Sequence, residues 1–366
     1  MLFKKNYFNP NDRQPLMTRR QPINQELSMT LLTTSEEISN VAFGFMGSKA
    51  LFAALHNGLF THLAVGPMTA EEAGLACGLH PERTRTLLTA LCAIGLVSSE
   101  NGRFANGAGA NAFLVKGAKH DFGDYLRLQV DRQMYPLFEQ IEDALANRLP
   151  DGATGSYADW FADADEAKLY SESQHAGSLG PARALVRMAD LSNARRLLDV
   201  GGGTGAMAIT LCEAHPELTA TIVEFPNVAD VGRAYVAAAG LSDRIEYIDG
   251  DALATEWPAD QDAVLMSYLF SGVPGSTHES LISSAYDHLS PGGRFMLHDF
   301  VVNSDRSGPK LAALWQLQHT AFTPEARSLD DAWLEGAFDA AGFSNVSVKP
   351  MIPGMTMLAQ GVRPGQ

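Results

Sequence analysis

The chain has 366 residues, 46% of them hydrophobic and 19% charged. That composition fits a folded protein of two or three domains with ample core, and it excludes disordered, collagen-like and coiled-coil chains. A formal charge of -15 argues against nucleic acid as the main partner, because phosphate binding needs a basic footprint.

The charge is uneven along the chain. Residues 1–30 carry a net of +3, leaving -18 on the remainder. This basic arm has no continuous apolar stretch of the secretory kind, so a flexible tail is expected. The most apolar stretch, 41–60, is interrupted by Ser48, Lys49 and His56. It reads as a core or interface helix rather than a membrane span. Cys77, Cys92 and Cys212 have neither a disulfide nor a metal-ligand spacing, so a reducing, cytoplasmic setting without metal is expected.

From 67 to 114 the pattern is helix, helix, hairpin. Thr69 with Glu72 forms a capping box, Pro81 starts a second helix, and Asn101-Gly102 marks the hairpin turn. The arrangement is winged-helix-like and raises DNA binding. Residues 31–115, however, hold four basic against six acidic residues, which favours a dimerisation role for this domain. Residues 116–192 read as a helical connector broken by a Gly/Pro/Asp-rich stretch at 149–156.

The chemistry is concentrated in 193–366. The run RLLDVGGGTGA ends a strand at Asp199 and turns through Gly201, Gly203 and Gly205 into a helix. This is the start of a nucleotide-binding α/β unit, in which glycines permit close backbone approach and the helix N-terminus offers free amides. A second run ends in Glu224, where a carboxylate can grip a ribose diol, and a third in Asp251. Runs at 262–270 and 292–300 continue the β/α alternation, and 343–350 and 355–362 read as two final strands. A nicotinamide dinucleotide was the competing ligand for such a loop. It is disfavoured because only one mononucleotide-type half fits and no hydride-transfer constellation follows.

The set LLDVGGGTG, TIVEFPNV, DRIEYIDGD, DAVLM and SPGGRFML resembles the class I S-adenosylmethionine-dependent methyltransferases, and more narrowly the small-molecule O-methyltransferases with an N-terminal dimerisation domain. The resemblance implies an α/β Rossmann-like domain with a mixed seven-stranded sheet, preceded by the winged-helix-like dimerisation domain. It further implies a homodimer that binds no nucleic acid or membrane and acts on a small-molecule acceptor. S-adenosyl-L-methionine is the implied methyl donor, leaving S-adenosyl-L-homocysteine. Its methionine part would lie on the loop at 201–205, its ribose on Glu224 and its adenine beside Asp251 and Ala252, with Asp199, Ser267 and Tyr268 completing the cofactor site.

The chain departs from that family at the base. Phenol-methylating members carry a Lys-Trp-x-x-His-Asp-Trp-like string whose His takes the acceptor proton. Here Ser267 stands at the Lys position, Tyr268 at the Trp, Ser271 at the His, Gly272 at the Asp and Val273 at the second Trp. An unactivated serine is no base near neutral pH, so no residue is assigned as general base. Either a histidine elsewhere (His175, His278, His298 or His319) substitutes, or the acceptor atom has no proton to lose. The second option fits the bacterial DsyB-type S-methyltransferases of dimethylsulfoniopropionate synthesis, which methylate the thioether 4-methylthio-2-hydroxybutyrate, and 36–63 and 265–275 are similar to that group. S-methylation of that thioether is therefore the first expectation and O-methylation of a hydroxylated metabolite the second. A cofactor-binding regulator is the non-enzymatic alternative. For the acceptor, the expected residues are Tyr125, Arg127, Arg132, His175, Arg183, Arg187, Trp315, Gln318 and His319, the arginines to meet a carboxylate.

Overall fold

Short helices open the described part of the chain. The computed structural model describes residues 31–150, 157–323 and 325–365; the basic arm and most of the expected break fall outside them. Helix α1 (Ser35–Ala42) opens on a capping box between Thr34 and Glu37, and α2 (Gly44–His56) and α3 (Leu59–Leu63) follow. Helix α4 (Ala70–Cys77) opens on the expected Thr69–Glu72 box, and α5 (Pro81–Ala93) has Pro81 as its first residue. The hairpin pairs β1 (Val97–Glu100) with β2 (Arg103–Asn106), and α6 (Ala108–Phe113) ends this part. Asn101 and Gly102 both have positive φ, 50° and 72°, the geometry that an Asn-Gly turn supplies cheaply. Leu59, Phe60, Leu88 and Leu91 are fully enclosed in a separate core here.

The apolar 41–60 stretch divides in two: Phe52, Ala54, Leu59 and Phe60 are buried core, and its first part is exposed. Val41, Phe43, Phe45 and Met46 are each at least half exposed. The stretch 35–56 has the length and apolarity of a membrane span, yet Lys49 and His56 both pair with Asp131 on the following segment. That segment, Tyr125–Met134, is a π-helix rather than an α-helix, and it continues as a 3-10 turn over Tyr135–Gln140. Next come α7 (Ile141–Leu145), α8 (Tyr157–Trp160) and the 25-residue α9 (Ala164–Met188), capped by Asp163.

Seven strands form one sheet: β3 (Arg196–Val200), β4 (Thr219–Glu224), β5 (Ile245–Asp249), β6 (Gln261–Ser267), β7 (Leu289–Asp299), β8 (Ser344–Ile352) and β9 (Thr356–Val362). Their order is β5-β4-β3-β6-β7-β9-β8, with β3 to β7 parallel and β9 antiparallel to both neighbours. Leu197, Leu198 and Val200 are completely buried because a parallel sheet is covered on both faces. The helices α10 (Ala206–Ala214), α11 (Pro226–Ala238), α12 (His278–His288), α13 (Lys310–Phe322) and α14 (Asp331–Ala340) complete the domain. The chain leaves β3 toward β4 on one side and later returns to β6 on the other, so the strand order reverses at β3. Ligand crevices form outside the carboxyl ends of strands at such a point.

Candidate active site

The crevice opens where β3 gives way to α10. Gly201, Gly203 and Gly205 all have positive φ, at 67°, 57° and 75°, which an L side chain rarely adopts. Gly202 is held by space instead: a Cβ there would lie 2.7 Å from the Asp199 carboxyl carbon and 2.8 Å from Ile222. Asp199 and Glu224 are both buried. Glu224 accepts hydrogen bonds from the Gly203 and Phe225 amides, each at 2.8 Å. Neither Asp199 oxygen has a hydrogen-bond partner among the described residues. Burial pushes Asp199 up to about 7, and the Glu224 charge adds to the rise. Glu224 also stands at about 7, through burial that its backbone hydrogen bonds oppose.

Around this pair the cleft is lined by Asp251, Ala252, Ser267 and Tyr268 as well as the 201–204 backbone, so most of the predicted cofactor residues converge. Gly205 caps α10 just behind it. Asp251 turns one oxygen to the Leu253 amide at 2.9 Å. Tyr268 adopts φ 60°, a strained conformation for an aromatic residue that holds its ring between two spaces.

The second space is a cavity of about 360 Å³. Tyr157, Tyr170, Gln174 and Tyr268 border both it and the glycine cleft, so the two are contiguous. Its walls combine rings such as Tyr125, Phe300 and Trp315 with polar and charged side chains, among them Lys119, Asp121, Gln129 and Arg183. Trp315 stacks on Phe300 with ring centres 4.8 Å apart, and Tyr268 lies 5.1 Å from Phe300.

Of the nine predicted acceptor residues, Tyr125, Arg183, Trp315 and His319 line the cavity. The other five are placed elsewhere, each for a helical reason. Tyr125 and Gln129 share the cavity-facing side of the π-helix, whereas Arg127 is off that face and ion-paired to Asp124 at 2.8 Å, and Arg132 is exposed. Arg187, one turn beyond Arg183 on α9, is exposed outside the cavity. His175 sits one residue past Gln174, about 100° around the helix. It bonds Thr204 Oγ1 through Nδ1 at 2.8 Å and stacks on Tyr235. Gln318 is likewise rotated away from Trp315 and His319, and is buried with its Oε1 unpartnered. Sequence reasoning missed Tyr157, Tyr170, Gln129 and Gln174. The density of rings in YADWF and at Tyr170 was a readable signal for the first two; the two glutamines had none beyond being polar within apolar runs.

Ser271 borders the cavity, but its Oγ donates to the Tyr268 carbonyl at 3.3 Å and its amide to Asp299 at 3.0 Å. Nothing there activates it. His298 is buried with both ring nitrogens engaged, Nδ1 with Ser267 Oγ at 2.9 Å and Nε2 with Thr356 Oγ1 at 2.8 Å, and burial depresses it to about 3. His278 is fully enclosed, stacked on Phe270 and bonded through Nε2 to the Phe270 carbonyl at 3.0 Å. Among the described residues, no group of three or more metal-ligating side chains comes together.

A Rossmann-like sheet with a glycine cleft opening into an aromatic cavity, behind a helical N-terminal part, defines a small-molecule transferase. The chain belongs to the O-methyltransferase family and is a methyltransferase: the O-methyltransferase domain matches residues 138–344, and the O-methyltransferase dimerisation domain matches 39–116. It is 32% identical to the 3-hydroxy-5-methyl-1-naphthoate 3-O-methyltransferase of Streptomyces sahachiroi, over 89% of this chain and 94% of that one. It is 28% identical to the L-tyrosine C(3)-methyltransferase of Streptomyces lavendulae, over 84% and 87% of the two chains. The solved structure of PigF with SAH superposes with a TM-score of 0.77 at 25% identity, covering 90% of this chain and all of that one.

Proposed function

We propose that this protein is a homodimeric, S-adenosyl-L-methionine-dependent O-methyltransferase whose acceptor is a hydroxylated aromatic small molecule. The supporting observation is the aromatic cavity joined to the glycine cleft through Tyr157, Tyr170, Gln174 and Tyr268. Flat apolar walls with a few polar atoms suit a ring system. Lys119 and Arg183 at the cavity wall can meet a carboxylate, whereas Arg127, Arg132 and Arg187 stand away from it, and the ring-bearing walls favour a carboxylated or neutral aromatic over a small hydroxy acid thioether. The thioether expectation therefore yields to the hydroxyl one, in keeping with the naphthoate methyltransferase likeness.

The donor fits the cleft. The unpartnered, buried Asp199 carboxylate wants a cationic partner, which the ammonium group of the methionine moiety supplies. The 201–205 backbone cradles that moiety, Glu224 takes the ribose hydroxyls, and Asp251 with Ala252 flanks the adenine. Ser267 and Tyr268 close the side toward the acceptor. The bound donor supplies an electrophilic methyl group. The chain orients the acceptor against Trp315 and Tyr268 and excludes water from the cavity, so rate comes largely from proximity. The uncovered face of α1 and α2, with Val41, Phe45 and Met46, is the dimer contact, and residues 31–115 form its domain.

The test is to incubate the protein with S-adenosyl-L-methionine and, separately, a hydroxynaphthoate, a simple phenol and 4-methylthio-2-hydroxybutyrate, measuring S-adenosyl-L-homocysteine release. Turnover of an aromatic hydroxyl is expected. A sulfonium product from the thioether, with both aromatics inert, would overturn the proposal.

A further inference from the structure

The proposed reaction leaves a proton unaccounted for. An aromatic hydroxyl loses one as it is methylated, and Ser271 stands where the family's base would be. Four histidines are possible substitutes, and the geometry separates them; a fifth, His120, also borders the cavity but is exposed, with its ring 6.2 Å from that of Phe113. His175 is spent on Thr204 and Tyr235. His278 gives Nε2 to the Phe270 carbonyl and its free Nδ1 is enclosed away from the cavity, and His298 has both nitrogens occupied. None of these three lines the acceptor cavity.

His319 differs on every count. It borders the cavity together with Tyr268 and Trp315, is only 8% exposed, and neither of its ring nitrogens meets a hydrogen-bond partner among the described residues. Its ring is bracketed by Phe300, 5.5 Å between centres, and Trp315, at 6.1 Å. A buried polar ring with free nitrogens facing a binding cavity is a vacancy that a ligand donor satisfies.

Resting on the hydroxyl reading above, we infer that His319 is the general base of the methyl transfer, displaced from the usual loop onto α13. The acceptor hydroxyl donates to the free imidazole nitrogen. As the acceptor oxygen forms its bond to the methyl carbon, that carbon's bond to sulfur breaks and the electron pair stays on sulfur. The hydroxyl proton passes to His319 and leaves to solvent with the product. Burial depresses His319 to about 4, so the resting ring is neutral at physiological pH. Aromatic walls around it also keep water from competing for the same nitrogen.

The experiment compares two acceptors on the same variant at one pH: a weakly acidic naphthol, and a nitro-substituted phenol already ionised in solution. His319→Gln and His319→Asn keep a polar side chain but cannot take a proton. Each should lose about 10²- to 10⁴-fold in kcat with the naphthol and keep wild-type kcat with the ionised phenol, with donor KM unchanged. Unchanged kcat with the naphthol, or equal losses with both acceptors, would overturn the assignment, since a packing role affects both alike. A wild-type protein that methylates the thioether and neither aromatic would overturn the hydroxyl reading itself, and this assignment with it.

Discussion

Asp199 and Glu224 lie at the carboxyl ends of neighbouring parallel strands, and their two carboxyl groups are buried in one cleft, each raised to about 7. Two acids so close to one another and to no cation are stable together only while protonated or while a cationic ligand is present. Their ordinary values are 3.8 and 4.5. The folded form therefore holds protons that the unfolded chain releases, and this contribution to stability is complete below about pH 4 and lost as pH rises through 7. The melting temperature of the ligand-free protein is expected to fall between pH 5 and 8. Binding of S-adenosyl-L-methionine should tighten over the same window, because its ammonium group favours the ionised acids. Calorimetry at several pH values checks both trends, and an affinity flat with pH would contradict them. Asp199→Asn should flatten the stability trend and weaken donor binding by about 10- to 100-fold.

The glycines are predicted to differ in kind. Gly202→Ala drives a methyl group into Asp199 and Ile222 and should cost about 1–3 kcal/mol of stability along with donor binding. Gly203→Ala meets nothing within 4 Å and bears only its positive φ, so its loss should be about 1 kcal/mol. Urea denaturation of the two variants separates packing from backbone strain.

His298 is a structural link between β6, β7 and β9. His298→Ala strands Ser267 and Thr356 and should lower stability by about 1–3 kcal/mol. Its kcat should fall equally for ionised and un-ionised acceptors, unlike that of the His319 variants. Selective loss with the un-ionised acceptor would move the base to His298.

Much of this was legible beforehand. The Thr69–Glu72 box, the Asn-Gly hairpin and the strand–glycine loop are local signals, fixed by a few residues' own stereochemistry, and each lies where its sequence predicts. Glu224 is legible because it ends β4 and a strand end fixes where a side chain faces, while Asp251 follows the end of β5 by two residues. The acceptor side was less so. A π-helix has no distinctive residue pattern, so the register that brings Tyr125 and Gln129 to the cavity and carries Arg127 away was invisible. His175 failed for a related reason, as one residue of rotation on α9 exchanges the cavity for Thr204. Which histidine keeps free nitrogens depends on contacts such as Thr356 with His298, made 58 positions apart.

The arginines offer a control on the acceptor's charge. Arg127→Ala, Arg132→Ala and Arg187→Ala should leave acceptor KM unchanged. Arg183→Ala, at the cavity wall, should raise KM for carboxylated aromatics and not for neutral ones. A marked KM rise in any of the first three would bring back the carboxylate-clamp reading.

On the exposed face of α1 and α2, Phe45→Asp places a charge in the proposed dimer contact. Sedimentation should show a monomer with this variant and a dimer with the wild type.

The most direct measurement is the identity of the methylated atom. With labelled S-adenosyl-L-methionine and an equimolar mixture of a hydroxynaphthoate and 4-methylthio-2-hydroxybutyrate, mass spectrometry should find the label in an aryl methyl ether. Label in a sulfonium product, with the naphthoate recovered unchanged, would contradict O-methylation of an aromatic acceptor.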